Sequence, residues 1–334
     1  MICLGIETTA HTFGCGIITD SGQVLANVKD MYTLEEGGMI PDKVAEHHRT
    51  VADKVVADAM DTAGMTWKEI GLISFSNGPG LSPALLAGMA KAKELAKLHK
   101  KPLIGINHCV AHLTIGELMT KTKDPLYLYV SGVNTQVIAR AGGKFRVFGE
   151  TLDVGLGNIL DKFGRMAGLG FPAGPKIEEL AKKGQYIELP YTVKGMDVSF
   201  SGMLTKAEQL FKKGTAVEDL CRSLQETAFA MLCEVAERAM AHVGKKDLIL
   251  IGGVAANKRL SEMLSIMCEE RNAKFYPVPI QYCGDQGAMI AWQGILQYNA
   301  GERMNVDDID IRPYERTDEV PITWVLDGTG ANKT

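Results

Sequence analysis

The chain lacks any apolar run near the roughly 20 residues needed to cross a bilayer. Its N-terminus, Met-Ile-Cys-Leu-Gly-Ile-Glu-Thr-Thr, lacks the basic region, apolar core and small-residue cleavage site of a secretory signal. A cytoplasmic protein without a membrane span is expected. No large charge excess is present either: the net charge is −4 and the pI about 6.0. There is no global nucleic-acid signature, so contact with RNA needs a local basic surface or help from a partner. Lysines cluster at residues 91–101 and 206–213, but Lys stripes opposite apolar residues are ordinary solvated helix faces. Cys-x-x-Cys is absent, and the seven cysteines are odd in number and widely spaced. A disulfide framework is not expected in a chain able to bury a large core.

What is present is an alternation of strand and helix patterns. With 334 residues, 46% of them hydrophobic, the length fits two domains or one large bilobed unit. Residues 2–7, 13–19 and 24–28 read as three strands joined by polar turns, a β-meander. The Thr-rich turn between the first two offers hydroxyls and N–H groups to a phosphate, or simply caps a hairpin. Gly37, Gly38 and Pro41 make residues 34–41 a loop. An amphipathic helix over residues 42–63 ends at Gly64. Its adjacent His47 and His48 point about 100° apart, cannot easily share a metal, and read as surface residues, or as one surface residue and one turned toward a cleft. A strand over residues 70–76 runs through Asn77-Gly78-Pro79-Gly80-Leu81-Ser82-Pro83 into a helix at 84–99. A glycine-rich turn there lets an anion approach a helix N-terminus. It does not fit Gly-x-x-x-x-Gly-Lys-Ser/Thr, so the ordinary P-loop is excluded.

Strands at residues 126–131, 136–141 and 145–150 repeat the opening order. Helices follow at 157–169, 174–183, 203–211 and 217–243. Then come a strand at 247–251, a turn at 252–257, a helix at 258–271 and a strand at 274–276. Cys283-Gly284-Asp285-Gln286-Gly287 opens a last helix at 288–298. The repeated order predicts an internal duplication near residue 122. It gives an N-terminal lobe (residues 1–122), a C-terminal lobe with a helical insertion (123–316) and a polar tail (317–334).

Asn107-His108-Cys109-Val110-Ala111-His112 carries the sharpest chemistry. Two histidines four apart lie about 40° apart in helical projection, so their rings can converge on one metal ion. Residues 102–106 read as a strand and Asn107 as a helix N-cap. Both histidines then sit at a strand end, where open α/β sheets bind ligands. The same spacing also occurs as two ordinary packed histidines. Zinc proteases use His-Glu-x-x-His with the Glu as general base. Cys109 fills that position, so peptidase chemistry is disfavoured.

These motifs can be matched as a set. Gly5-Ile6-Glu7-Thr8-Thr9-Ala10-His11-Thr12, Ser76-Asn77-Gly78-Pro79-Gly80, residues 107–112, Leu128-Tyr129-Val130-Ser131-Gly132-Val133-Asn134-Thr135-Gln136, residues 157–163 and 170–178, Val198-Ser199-Phe200-Ser201-Gly202, and residues 252–257 and 284–288 form it. The chain resembles the universal tRNA threonylcarbamoyladenosine transferase family in its archaeal/eukaryotic form, the catalytic subunit of the KEOPS complex. The resemblance implies a duplicated α/β fold of the actin/hexokinase/Hsp70 (ribonuclease H-like) type, with a nucleotide cleft between two lobes. It implies a metal ion, iron or zinc, held by His108, His112, Asp285 and Tyr129. Two imidazoles, a carboxylate and a phenolate suit a borderline ion, and a metal can hold a tyrosine as phenolate below its usual pKa of about 10. With Asp285 in the second half of the chain, that ion is expected to bridge the lobes. Contacts to ATP, AMP or threonylcarbamoyl-AMP carry over to Tyr129, Val130, Ser131, Gly132, Val133, Asp161, Gly174, Glu178 and Asn257. Gly174 has no side chain to exclude base or ribose, and Asp161 and Glu178 can accept bonds from ribose hydroxyls. Val133 stands where many members carry Gly or Ala, and Ile40 where related sequences often carry His.

The implied reaction moves threonylcarbamoyl from its AMP ester to N6 of the adenosine 3′ of the anticodon, in tRNAs reading codons that begin with A. No general base is assigned; His11, His47 or a water could serve. The implied partners are tRNA, a small atypical protein kinase, a kinase-activating subunit and a small dimerising subunit. A small-molecule kinase of the same superfamily, a metalloprotease and a non-catalytic nucleic-acid binding or scaffold protein are the rival readings.

Overall fold

The computed structural model describes residues 1–33 and 40–324. Residues 34–39 of the expected loop and residues 325–334 of the expected tail lie outside the described residues. The chain divides into two compact units. One comprises Met1–Leu118, Ala141–Phe145 and Asp285–Thr334; the other comprises Met119–Arg140 and Arg146–Gly284.

In the first unit, β1 (Ile2–Glu7), β2 (Thr12–Thr19), β3 (Val24–Met31), β4 (Leu72–Gly78) and β5 (Leu103–Asn107) form a sheet of order β3-β2-β1-β4-β5. The meander β1–β2–β3 is antiparallel, and β4 and β5 run parallel to β1. Helices α1 (Pro41–Ala63), α2 (Ser82–His99) and α3 (His108–Thr120) connect these strands or follow them. Strand residues alternate between faces, and here both faces are covered. Leu4, Ile6, Phe13, Cys15, Ile17, Ile73 and Phe75 share a buried cluster with Ala52, Val55 and Ala59 of α1 and Ala92 and Leu95 of α2. Burying a Phe of this kind is worth about 1.5–3 kcal/mol. Alternating with them, Gly5, Gly14 and Gly16 face the last helix, as described below.

In the second unit, β6 (Leu126–Val130), β7 (Thr135–Ala141), β8 (Lys144–Glu150), β11 (Asp247–Ile251) and β12 (Lys274–Pro277) give the order β12-β11-β6-β7-β8. β7 is antiparallel to β6, while β11 is parallel to both β6 and β12. Read from the meander end, this is the first sheet over again: third, second, first, fourth, fifth. The duplication expected from element order is therefore present at the level of topology. The helices here are α4 (Leu156–Met166), α5 (Gly174–Ala181), α6 (Ser201–Lys212), α7 (Val217–Val243) and α8 (Lys258–Glu270). A two-strand ribbon of β9 (Val193–Lys194) and β10 (Asp197–Val198) precedes α6. The final helix, α9 (Gly287–Asn299), belongs to the first unit. No helix among the described residues is long and apolar enough to cross a membrane.

Candidate functional site

Strand β5 ends at Asn107, and α3 begins with the next residue, His108. The Asn107 side chain accepts from the Val110 N–H (3.1 Å), the N-cap expected from its residue type. Its amide in turn donates to Glu315 Oε2 (3.0 Å) in the segment after α9. The same segment fastens the end of β4, where the Arg312 N–H reaches the Asn77 carbonyl (2.6 Å). A helix starting at this point carries His108 and His112 on one side, both buried.

Asp285 comes from the far end of the sequence but from the same compact unit. Its Oδ1 lies 3.2 Å from His112 Nε2 and 3.5 Å from His108 Nε2. The close seating of α9 on β1 and β2 puts it there. A methyl group at Gly16 would meet the Ala288 nitrogen at 2.1 Å, and one at Gly5 the Ala291 nitrogen at 2.3 Å. Glycine at these positions lets the helix backbone rest directly on the strands. Asp285, expected to come from the second lobe, belongs to the same unit as both histidines.

Glu7, unassigned in the sequence reading, closes the group from behind. Fully buried at the end of β1, it sets Oε2 2.9 Å from His108 Nδ1. Its other oxygen accepts from the Thr9 N–H (2.7 Å) and hydroxyl (2.5 Å). The Thr8 N–H donates to Ser76 Oγ (2.9 Å). The Thr9 groups of this turn, read as open to a phosphate, are spent on holding the carboxylate, and the Thr8 N–H on Ser76. A carboxylate on Nδ1 fixes the tautomer of His108 and leaves Nε2 for a ligand.

The electrostatics follow the geometry. Burial alone lowers the His108 pKa, but the charges of Glu7 and Asp285 override it and raise it to about 9. For His112, burial prevails, helped by the His108 charge, and its pKa falls. Burial pushes the Asp285 pKa upward, yet the two histidines hold its carboxyl well below the usual carboxylate range.

The candidate ligand atoms of His108, His112 and Asp285 all lie within 4.8 Å of one another. Two imidazole nitrogens and a carboxylate oxygen, backed by an outer carboxylate, fit a borderline transition metal. Tyr129, the fourth expected donor, stands on β6 of the second unit, buried, opposite Gln136 and Ile251.

His47 and His48 differ from their expected surface placement. His48 is fully buried, and its Nε2–H donates to the Ala10 carbonyl (2.9 Å). His47 Nε2 meets Asp30 Oδ1 (2.8 Å), and the two Nδ1 atoms approach to 3.3 Å. Adjacent residues diverge along a helix, but side-chain torsions bring these rings back together. Burial, reinforced by His47, lowers the His48 pKa to about 4. His11 lies half-buried in the turn between β1 and β2.

The residues expected at a nucleotide lie in the second unit. Val130 ends β6, and Ser131, Gly132 and Val133 form the turn to β7. The start of α4 sits on that turn: the Gly157 N–H reaches the Ser131 carbonyl (3.1 Å), and the Asn158 N–H reaches the Gly132 carbonyl (3.0 Å). Val133 is 70% exposed, so its branched side chain fills no packed space. Asp161 Oδ1 accepts from the Ala173 N–H (2.8 Å), next to Gly174, the first residue of α5. A side chain at Gly174 would meet nothing within 4 Å. Glu178 Oε1 accepts from the Lys258 N–H (2.9 Å) at the start of α8. Asn257 Oδ1 caps that helix on the Arg259 (2.9 Å) and Leu260 (3.2 Å) N–H groups, and its amide donates to Gln225 (3.0 Å). A cavity of ≈ 530 Å³ opens between α5, α7 and α8, lined by Glu178, Lys182, Arg222, Gln225, Lys258 and Arg259 among others. Of the residues expected at a nucleotide, only Glu178 lines it.

Two sheets of one topology define a duplicated α/β protein of the actin/hexokinase/Hsp70 fold class. A HypF protein of T. kodakarensis shares this fold, with a TM-score of 0.61 over 89% of this chain and 48% of that one, at 16% identity. The family model for tRNA N6-adenosine threonylcarbamoyltransferase matches residues 23–292. A protein of that name from Thermococcus kodakarensis is 54% identical over 326 residues, 97% of this chain and 100% of that protein. A probable bifunctional tRNA threonylcarbamoyladenosine biosynthesis protein of Methanocaldococcus jannaschii is 50% identical over 334 residues, 100% of this chain and 62% of that protein. The chain belongs to the tRNA N6-adenosine threonylcarbamoyltransferase family.

Proposed function

We propose that this protein transfers a threonylcarbamoyl group from threonylcarbamoyl-AMP to N6 of the adenosine 3′ of the anticodon, in tRNAs reading codons that begin with A, with release of AMP. The observation that carries this reading is family membership along nearly the whole chain combined with the intact His108–His112–Asp285 group. We assign these three residues as metal ligands, with Tyr129 as the fourth and iron as the ion, zinc being the runner-up. When bound, the ion supplies Lewis acidity and a template for the oxygens of the threonylcarbamoyl group. Glu7 holds His108 in its ligating tautomer. In the second unit, Tyr129, Val130, Ser131, Gly132, Val133, Asp161, Gly174, Glu178 and Asn257 hold the adenylate: glycine-rich backbone against phosphate, carboxylates against ribose hydroxyls. Holding donor and amine together contributes by proximity, because an exocyclic adenine amine is a weak nucleophile.

The near-neutral net charge fits a protein whose grip on tRNA phosphates is shared with partners. We assign those partners as a small atypical protein kinase, a kinase-activating subunit and a small dimerising subunit, all in the cytoplasm. The test is to incubate the protein and these subunits with threonylcarbamoyl-AMP and unmodified tRNA, then digest the tRNA and measure threonylcarbamoyladenosine by mass spectrometry. Modified nucleoside that requires the protein and disappears in His108→Ala is the expected result. ATP consumption with a phosphorylated metabolite and no modified nucleoside would favour the kinase reading instead.

A further inference from the structure

Asn27 sits inside β3, where asparagine is disfavoured, so its presence needs a reason beyond the strand. It pairs across the ladder with Gly16, the glycine on which the start of α9 rests. Its side chain touches that helix start at two points. Nδ2 donates to Gln286 Oε1 (2.8 Å), and Oδ1 accepts a longer bond from the Ala288 N–H (3.4 Å). Gln286 occupies the N-cap position of α9, fully buried, and its own side chain makes no cap bond. An N-cap side chain normally serves the N–H two or three residues on. Asn27 provides that service from a neighbouring strand. Gln286 directly follows Asp285, so a residue fixed at this point fixes the carboxylate beside it.

We propose that Asn27 is a positioning residue for the metal centre: through Gln286 and the Ala288 N–H it holds the Asp285 carboxylate in ligating position against His108 and His112. This rests on the metal reading given above. Outer residues that orient a ligand typically change metal affinity 10–100-fold when removed.

The test is Zn²⁺ affinity of the full-length protein, read by competition with a fluorescent chelator, with thermal unfolding of each metal-free protein as the structural control. Asn27→Ala should weaken Zn²⁺ binding about 10–100-fold. Asn27→Asp should recover most of that loss, since a carboxylate still accepts from Ala288 and from a flipped Gln286 amide. In an Asp285→Ala background, Asn27→Ala should weaken binding no further. If Asn27→Ala unfolds, Asn27→Thr, which suits a strand but cannot reach both partners, carries the same comparison. Unchanged affinity in Asn27→Ala, or an equal loss with and without Asp285, overturns the proposal. Wild-type protein that takes up neither Zn²⁺ nor Fe²⁺ overturns the metal reading and this proposal together, whereas wild-type binding indifferent to Asn27 overturns this proposal alone.

Discussion

Glu7 Oε2 lies 2.9 Å from His108 Nδ1, joining the end of the first strand to the first residue of α3, 101 positions later in the chain. Both side chains are buried, so the carboxylate serves the imidazole rather than solvent. Glu7→Gln keeps a group of the same shape but removes the charge that orients the ring. Metal affinity should fall about 10–100-fold, measured by chelator competition, with near-native far-UV circular dichroism. Affinity equal to wild type would mean that Glu7 does not set the His108 tautomer.

The seating of α9 depends on glycine. Gly16→Ala places a methyl carbon 2.1 Å from the Ala288 nitrogen, and only a backbone shift relieves that contact. Overpacking of this kind costs about 1–3 kcal/mol or more. Urea unfolding should report the loss of stability. Metal affinity should fall with it, because the shift moves Asp285. A fully stable Gly16→Ala protein would contradict the packing described for this helix.

His48 gives a pH dependence with a defined sign. Its folded pKa is lowered from the ordinary 6.5 to about 4. Between these values the unfolded chain binds more protons than the folded one. Stability is therefore full above pH 6.5 and declines as pH falls toward 4. At about 1.4 kcal/mol per pKa unit, the decline from this residue is up to about 3.5 kcal/mol. His48→Gln retains a donor for Ala10 and cannot ionise. Urea titrations at pH 7 and pH 4.5 should show a smaller difference between the two pH values for His48→Gln than for wild type.

Asn257 has two tasks that substitution can separate. Asn257→Asp preserves the cap on α8, whereas Asn257→Ala forfeits about 1 kcal/mol of it. Both lose the amide that reaches Gln225. Isothermal titration with AMP should show weaker binding in both variants, and thermal unfolding should show the larger fall in midpoint in Asn257→Ala.

Much of this architecture is legible from periodicity and punctuation. Gly64 ends α1 in the left-handed conformation, at φ 62°. The long helix Val217–Val243 and the strand Asp247–Ile251 fall where the apolar patterns put them, and Asn107 caps as its type suggests. His48 was legible too: it continues the buried ladder of Val44, Ala52, Val55 and Ala59 at helical spacing, a stronger signal than its adjacency to His47. Glu7 and Asn27 carried no such mark. Their roles arise from pairs 101 and 259 residues apart, and single-sequence periodicity contains no term for contacts of that range. The ribbon of β9 and β10, with two residues per strand, is too short to leave an alternation. The residues proposed to hold the nucleotide entered through family resemblance, because in this structure Asp161, Glu178 and Asn257 each accept a backbone N–H, as ordinary structural polar side chains do.

The most direct measurement is the metal content of purified protein, by plasma mass spectrometry, for wild type and for His108→Ala/His112→Ala, paired with threonylcarbamoyladenosine formation on tRNA. One ion per wild-type chain, lost together with tRNA modification in the double variant, is the expected result. Full modification by a variant that carries no metal would contradict the assignment of this centre to the reaction.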